Sequence, residues 1–328
     1  MKQIVILSGK GGTGKTFVSA SLASIADNSV SADCDVDAAN LHILLKPEIK
    51  ETHDFSGGRV AYISPDGCTG CGVCMEHCRF DALSWKNIRP DTVVSSKNPP
   101  LDKKSSAADK TVVEVDPIAC EGCGVCGLVC PADAVSYRTS DAGQWYLSTT
   151  EFGPMVHAYL YAGEDNSGKL VQQVRERAKA EAEEKKCDFV LIDGPPGTGC
   201  PVMSAMTGVD YVVLVTEPTV AGAHDLKRVV ELAGHFSIPV GMIVNKSTIN
   251  LDGVEELRKF AEEKKIHYLG EIPYDKKVVD SVADLLPYAH TYDDEIAKEL
   301  HNMWEKIQNA ARLTYTTTKG EPHGGNAE

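Results

Sequence analysis

The alternation of apolar and polar positions divides the chain into three stretches. The first opens on an unbroken apolar run, Ile4-Val5-Ile6-Leu7, and continues after a glycine-rich segment with Phe17, Leu22 and Ile25 at helical spacing. A weaker strand, Ser29-Val30-Ser31-Ala32, ends in the acidic group Asp33-Cys34-Asp35-Val36-Asp37, and a helix through Asn40–Leu45 stops at Lys46-Pro47. Between residues 59 and 146 the pattern breaks into short strand-like pieces with little helix, and a Pro/Lys/Ser/Asp-rich stretch, Lys97 to Lys110, reads as a surface loop. Strand and helix then alternate again. A charged helix over Leu170–Lys186, with Ser167 as N-cap, leads to the strand Phe189-Val190-Leu191-Ile192. Strands Tyr211–Val215 and Val240–Val244 follow, with helices around 225–233 and 252–265 and two more helices to close.

Such alternation predicts an α/β fold: a mostly parallel, doubly wound sheet covered on both faces. It is split in sequence, with residues 1–58 as its first part and 147–313 as its second. Residues 59–146 read as a small inserted α+β domain, and the polar, Gly-rich residues 314–328 as a disordered tail.

Composition narrows the class. The chain has 328 residues, 42% of them hydrophobic, and a net charge of -14, a balance that weighs against nucleic-acid binding. No apolar run approaches the roughly 18 residues of a membrane span, and no secretory leader precedes the first strand, so no stable membrane anchor and a cytoplasmic location are expected. Cysteine is the outlier, with eleven.

The segment Gly9-Lys10-Gly11-Gly12-Thr13-Gly14-Lys15-Thr16 satisfies G-x-x-x-x-G-K-[ST] between a strand and a helix, the context of a phosphate cradle. Glycines let backbone N–H groups face an anion at a helix N-terminus. Gly11, Gly12, Thr13, Gly14, Lys15, Thr16 and the backbone of Phe17 are the candidate contacts, with Lys15 on the terminal phosphates and Thr16 on Mg²⁺. Gly9, Gly11 and Gly14 also fit G-x-G-x-x-G, with Asp33 near the place of a ribose-binding acid. A dinucleotide site has no need of Lys15-Thr16, and the phosphate-loop reading is preferred.

Eight cysteines form two runs of C-x2-C-x2-C-x3-C: Cys68, Cys71, Cys74, Cys78, and Cys120, Cys123, Cys126, Cys130. In two-cluster ferredoxins the fourth cysteine of each such run ligates the other cluster. Two 4Fe–4S clusters are therefore expected, one on Cys68, Cys71, Cys74 and Cys130, the other on Cys120, Cys123, Cys126 and Cys78. Structural zinc is the weaker reading, because tetrahedral sites pair two-cysteine knuckles. Arg79 stands where the second run has Pro131, adding a charge that would tune one cluster.

Lys10 together with Lys15 resembles the deviant Walker A motif of the MinD/ParA/Mrp class of P-loop ATPases. Asp33–Asp37 with Asn40 resembles their switch I, and Asp193-Gly194-Pro195-Pro196-Gly197 their switch II. Asn245-Lys246 and Pro273-Tyr274-Asp275 are similar to their adenine-contacting loops. From residue 1 to about 310 the chain is similar to members carrying an inserted ferredoxin domain. The resemblance implies ATP/ADP and Mg²⁺ as ligands, and an ATPase that forms a homodimer in the ATP state. It assigns Asp193 to Mg²⁺ through water, Asp35 to the attacking water or its switch, and Lys10 to the partner's nucleotide. It places Asn245, Pro273 and Asp275 at the adenine; Asp37 is either catalytic, or solvated or structural. The class usually has a second hydroxyl where this chain has Phe17.

Nitrogenase iron proteins, relatives of this class, carry a cluster-ligating cysteine just past switch II. Cys200 fits either that role or a packed small residue. Cys34 and Cys187 adjoin strands and read as core, and His157 as structural rather than a ligand. The function expected is ATP hydrolysis coupled to electron transfer, or to iron–sulfur or metal cofactor delivery, to a partner protein. The alternatives are a positioning or scaffold ATPase with a redox-sensing module, and an electron carrier with a vestigial nucleotide site.

Overall fold

The computed structural model describes residues 1–88, 93–96, 110–162, 164 and 166–317. In chain order, β1 (Lys2–Ser8), α1 (Lys15–Ala23), β2 (Ser29–Asp33) and α2 (Leu41–Leu45) lead into β3 (Glu48–Ile63). Next come α3 (Val73–His77), β4 (Leu83–Ile88), β5 (Val93–Ser96), β6 (Lys110–Val115) and α4 (Val125–Leu128). β7 (Val135–Thr150), β8 (Gly153–Leu160), α5 (Ser167–Glu184), β9 (Phe189–Pro196) and α6 (Cys200–Met206) follow. The chain closes with β10 (Tyr211–Thr216), α7 (Val220–His235), β11 (Val240–Asn245), α8 (Leu251–Lys264), β12 (His267–Ile272), α9 (Lys276–Ala283), α10 (Tyr288–Thr291) and α11 (Glu295–Thr317).

These elements make two units. One comprises Met1–His53, Gln144–Leu160 and Ser167 onward; the other comprises Asp54–Gly143 and Tyr161–Asn166. The second thus begins a few residues before the expected 59 and takes back a short later segment.

The first unit holds the sheet β12-β11-β10-β1-β9-β2-β8, edged by its own parts of β7 and β3, residues 144–150 and 48–53. β1 pairs in parallel with both β10 and β9, and β2 in parallel with β9 and β8. Ile4, Val5, Ile6 and Leu7 have no exposed surface, which is why a continuous apolar run, and not an alternating one, marks this central strand. Strand order reverses about β1, and in open α/β sheets ligands bind beyond the carboxyl ends of the strands at such a point. Ile4, Ile6, Phe17, Val18, Leu22, Met155, Tyr211 and Trp304 belong to the core beneath it. This is the mostly parallel α/β architecture expected from the sequence.

Differences are local. Ser167 is the first residue of α5 rather than its cap. α7 and α8 are capped by Thr219 and Asn250, whose side chains accept from Gly222 N and Gly253 N. Three helices, not two, close the unit, and α11 continues past Thr314 to Thr317. The expected loop at 97–109 and the tail after Thr317 lie outside the described residues.

The second unit holds the antiparallel sheet β5-β4-β6, with Trp85 opposite Val113. Its core is small: Ile63, Leu83, Val112, Val113 and Ala134 pack with Cys68 and Cys74. β3 and β7 are 16 residues each, not the short pieces expected. Much of β3 is exposed on both faces, so its sequence carries no two-residue hydrophobic period to read.

Candidate functional site

The sheet register assembles the first unit's site. Asp193 of β9 lies beside Ile6 of β1 on one side and Asp33 of β2 on the other, and Cys34 N donates to the Asp193 carbonyl at 2.8 Å. Successive side chains of a strand alternate faces, so the shared register sends Asp33 and Asp193 to one face. Lys15, first residue of α1, reaches that face. Its Nζ donates to Asp193 Oδ1 at 2.8 Å and sits 3.3 Å from Asp35 Oδ2, while Ser19 Oγ donates to the same Asp193 oxygen at 2.7 Å. Asp33 accepts from Leu41 N and Asp35 N, tying the Asp33–Asp37 segment and helix α2 to one carboxyl.

Three carboxyls around one ammonium set the electrostatics. Burial, reinforced by Asp193, pushes the Asp33 carboxyl up to about 8, against the Lys15 charge. Burial also holds Asp35 above the usual carboxylate range. For Lys15 burial acts downward, but Asp193 and Asp35 outweigh it and keep the ammonium above an ordinary lysine.

The loop from Gly9 to Thr16 is braced from elsewhere in the unit. Asn245 Nδ2 donates to Thr13 O at 2.8 Å, and Lys246 Nζ to Gly12 O at 3.1 Å. Gly14 takes a left-handed backbone (φ 88°), and a Cβ there would run into Asn245 Nδ2. Gly11 and Gly12 are exposed, with open space where a Cβ would stand. Thr13 Oγ1 and Asp193 Oδ2 are buried without a protein partner. An open glycine crest over two unsatisfied oxygens suits a polyphosphate and a hard cation.

Lys10 forms an ion pair with Glu217, which Lys246 Nζ also contacts at 3.1 Å. Burial acts upward on the Glu217 carboxyl, but the two lysines prevail and hold it below the usual range. Thr16 is half-buried at the start of α1. Phe17 is buried edge-on against Tyr288, ring centroids 5.9 Å apart, so its side chain serves the core. Asp275 caps α9, accepting from Lys277 N at 2.8 Å, with half-buried Pro273 just ahead of it.

Asp37 is exposed. Cys200 is exposed as the first residue of α6, which removes the packed alternative, while Cys34 and Cys187 are buried. His157 is buried, bonded to Ser148 Oγ at 2.9 Å and stacked between His42 and Tyr146. Burial and His42 push its ring down to about 4, leaving it neutral and structural.

In the second unit, Cys78, Cys120, Cys123 and Cys126 line one cavity, the set expected from crossing the two runs. Cys68 and Cys74 are buried in the small core, with Cys130 packed against it and Cys71 exposed. Backbone donors point at sulfur: Gly70 N to Cys68 Sγ and Ala134 N to Cys130 Sγ, each 3.4 Å. Among the described residues no three metal-ligating side chains converge on a single ion. Four cysteines lining one cavity suit a polynuclear group better than one ion.

The sequence profile of the CobQ/CobB/MinD/ParA nucleotide-binding domain matches residues 4–288, and the chain belongs to that family. An uncharacterized protein of Methanocaldococcus jannaschii is 29% identical over 309 residues, spanning 93% of this chain and 96% of that one. The iron-sulfur cluster carrier protein of the same organism is 32% identical over 137 residues, 37% of this chain and 47% of the carrier. A ferredoxin of Mycobacterium bovis is 31% identical over 67 residues, 20% of this chain and 46% of the ferredoxin. Among solved structures, the septum site-determining protein MinD of Pyrococcus horikoshii, complexed with Mg-ADP, superimposes with a TM-score of 0.55 at 18% identity. That match covers 95% of this chain and 98% of MinD. No described helix is long and apolar enough to cross a membrane.

Proposed function

We propose that this chain hydrolyses ATP and uses its nucleotide state to control iron–sulfur chemistry for a partner protein. The observation that carries this reading is the cavity ringed by Cys78, Cys120, Cys123 and Cys126, in a chain whose other unit holds a complete phosphate loop and its acids. Similarity over part of the chain to an iron–sulfur cluster carrier and to a ferredoxin supports it.

In this reading Lys15 and the N–H groups of the loop bind the phosphates, Thr16 and Asp193 hold Mg²⁺, and Asp35 orients the attacking water. The cation, when bound, neutralises charge on the phosphates. Asn245, Pro273 and Asp275 border the adenine. Lys10 leaves Glu217 to reach the nucleotide of a second copy, making the ATP state a homodimer. The eight cysteines hold two 4Fe–4S clusters, which when bound supply one-electron chemistry. The cargo is electrons or an assembled cluster or metal. Exposed Cys200 is available as a transient ligand in the second case.

A positioning ATPase has the fold likeness to MinD behind it. That likeness, at 18% identity, speaks to architecture alone. The test is anaerobic purification with iron counting and ATP hydrolysis. The proposal expects about eight irons per chain and Mg²⁺-dependent turnover; zinc, four irons, or no turnover overturns it.

A further inference from the structure

The cysteine unit contains two copies of one motif, so each copy serves as the other's control. The backbones correspond. Gly72 and Gly124 are both left-handed (φ 78° and 88°), as are Asp81 and Asp133 (φ 52° and 49°). Trp85 and Tyr137 then occupy the same place in Asp81-Ala82-Leu83-Ser84-Trp85 and Asp133-Ala134-Val135-Ser136-Tyr137. The side chains part company here.

In the first copy the Trp85 ring lies over Gly72, 3.1 Å from where a Cβ would stand, and Met75 follows Cys74. In the second copy the Tyr137 hydroxyl donates to the Gly124 carbonyl oxygen at 3.0 Å, beside Cys126. Gly127 stands where the first copy has Met75, and a Cβ on it would collide with that hydroxyl. Tyrosine and glycine are a matched pair. Arg59 completes the arrangement. Its guanidinium lies 4.5 Å over the Tyr137 ring, and its Nε donates to Gly122 O at 3.0 Å. Gly122 in turn has no room for a Cβ beside the Arg59 carbonyl.

Building on the cluster reading above, we infer that Tyr137 and Arg59 raise the reduction potential of the group held by Cys78, Cys120, Cys123 and Cys126, making it the higher of the two. Reduction adds one electron, and so one negative charge, to a group whose thiolates already carry charge. A hydroxyl that can turn its proton from the Gly124 carbonyl to a neighbouring ligand sulfur, with a cation over its ring, stabilises that charge. The first copy offers its sulfurs an indole ring over Gly72 and no hydroxyl at that place. Lys110 is bonded to the carbonyl oxygens of Pro65 and Asp66 and keeps its charge, so the hydroxyl is what one copy has and the other lacks. Arg59 and Arg79 are both exposed, but it is Arg59 whose guanidinium lies over the Tyr137 ring and donates to Gly122 O beside the second run.

The experiment is an anaerobic potentiometric titration of the full iron-loaded chain, reduced with dithionite and photoreduced deazaflavin and followed by EPR. Two one-electron waves are expected. Cys123→Ser, which alters one ligand of the tuned set, should disturb the higher wave. Tyr137→Phe and Arg59→Gln should each move that wave downward and leave the lower one in place, while Trp85→Phe should leave the higher wave in place. If Tyr137→Phe fails to load iron, Arg59→Gln carries the test. Unmoved waves, a shift of the lower wave, or Cys123→Ser disturbing the lower wave would overturn the inference while leaving the clusters standing. An unaltered chain that binds no iron would instead overturn the cluster reading itself.

Discussion

Lys15 and Asp193, 178 positions apart in sequence, meet in a buried hydrogen bond of 2.8 Å, with Asp35 and Ser19 on the same two groups. The lysine that the loop motif assigns to phosphate is thus also the counter-charge of an acidic cluster. Removing it leaves Asp35 and Asp193 buried without a cation. Lys15→Met should abolish nucleotide binding and cost about 3–5 kcal/mol in urea unfolding near neutral pH. The penalty should shrink in acid, where the carboxyls take up protons. A fully stable Lys15→Met chain would show that the cluster does not depend on this ammonium.

Asp33 gives a pH signature. Folded, it keeps its proton up to about pH 8, against an ordinary value of 3.8. Between those values the folded state binds more protons than the unfolded one, so this group's contribution falls as pH rises through the window and levels off above it. Asp33→Asn cannot ionise. Its stability relative to the unaltered chain should improve steadily from pH 4 to pH 8, read by denaturant midpoints. A difference independent of pH would place the Asp33 titration elsewhere.

The Glu217 clamp separates two roles for Lys10. If Lys10 acts on a partner's nucleotide, Lys10→Ala should lower both ATP turnover and ATP-dependent dimerisation by roughly tenfold or more, equivalent to about 1.4 kcal/mol. Glu217→Gln, which weakens the grip on Lys10, should favour the dimer instead. Light scattering with and without ATP reads both, and an unchanged Lys10→Ala chain contradicts the trans role.

Gly14 and Gly11 make a paired test of the loop. An alanine at Gly14 must take a left-handed backbone and displace Asn245, which should cost about 1–3 kcal/mol and weaken nucleotide binding. Gly11→Ala meets open space and should leave thermal stability within about 0.5 kcal/mol. Equal losses at both positions would mean that steric fit to Asn245 is not what the glycine serves.

The central sheet was legible because its strands are buried on both faces and read as continuous apolar runs. The loop was legible because its chemistry fixes residue types at fixed spacing. Glu217 went unread as a site residue: Thr216-Glu217-Pro218 carries no motif, and only the pairing of β10 with β1 brings it to Lys10. Its position at the carboxyl end of a strand was the one available signal. Asn245 was expected at the adenine; its side-chain amide donates to the loop carbonyl of Thr13, a tertiary contact across 232 positions. The length of β3 and β7 was not legible, since the first half of β3 and much of the first half of β7 are exposed and need no apolar period. Arg59 and Tyr137 were missed for a related reason: their meaning lies in the contrast between two copies, visible only once side chains are in place.

The account turns on nucleotide and iron–sulfur groups acting on one another within a single chain. The direct measurement is the EPR-monitored midpoint of each cluster in the iron-loaded chain, taken with Mg²⁺ alone, with ADP, and with a non-hydrolysable ATP analogue. The account predicts that at least one midpoint moves between the ADP and ATP-analogue states, and that Lys15→Met abolishes the movement. Superimposable titrations in all three conditions, in a chain shown to bind both nucleotide and iron, would contradict it.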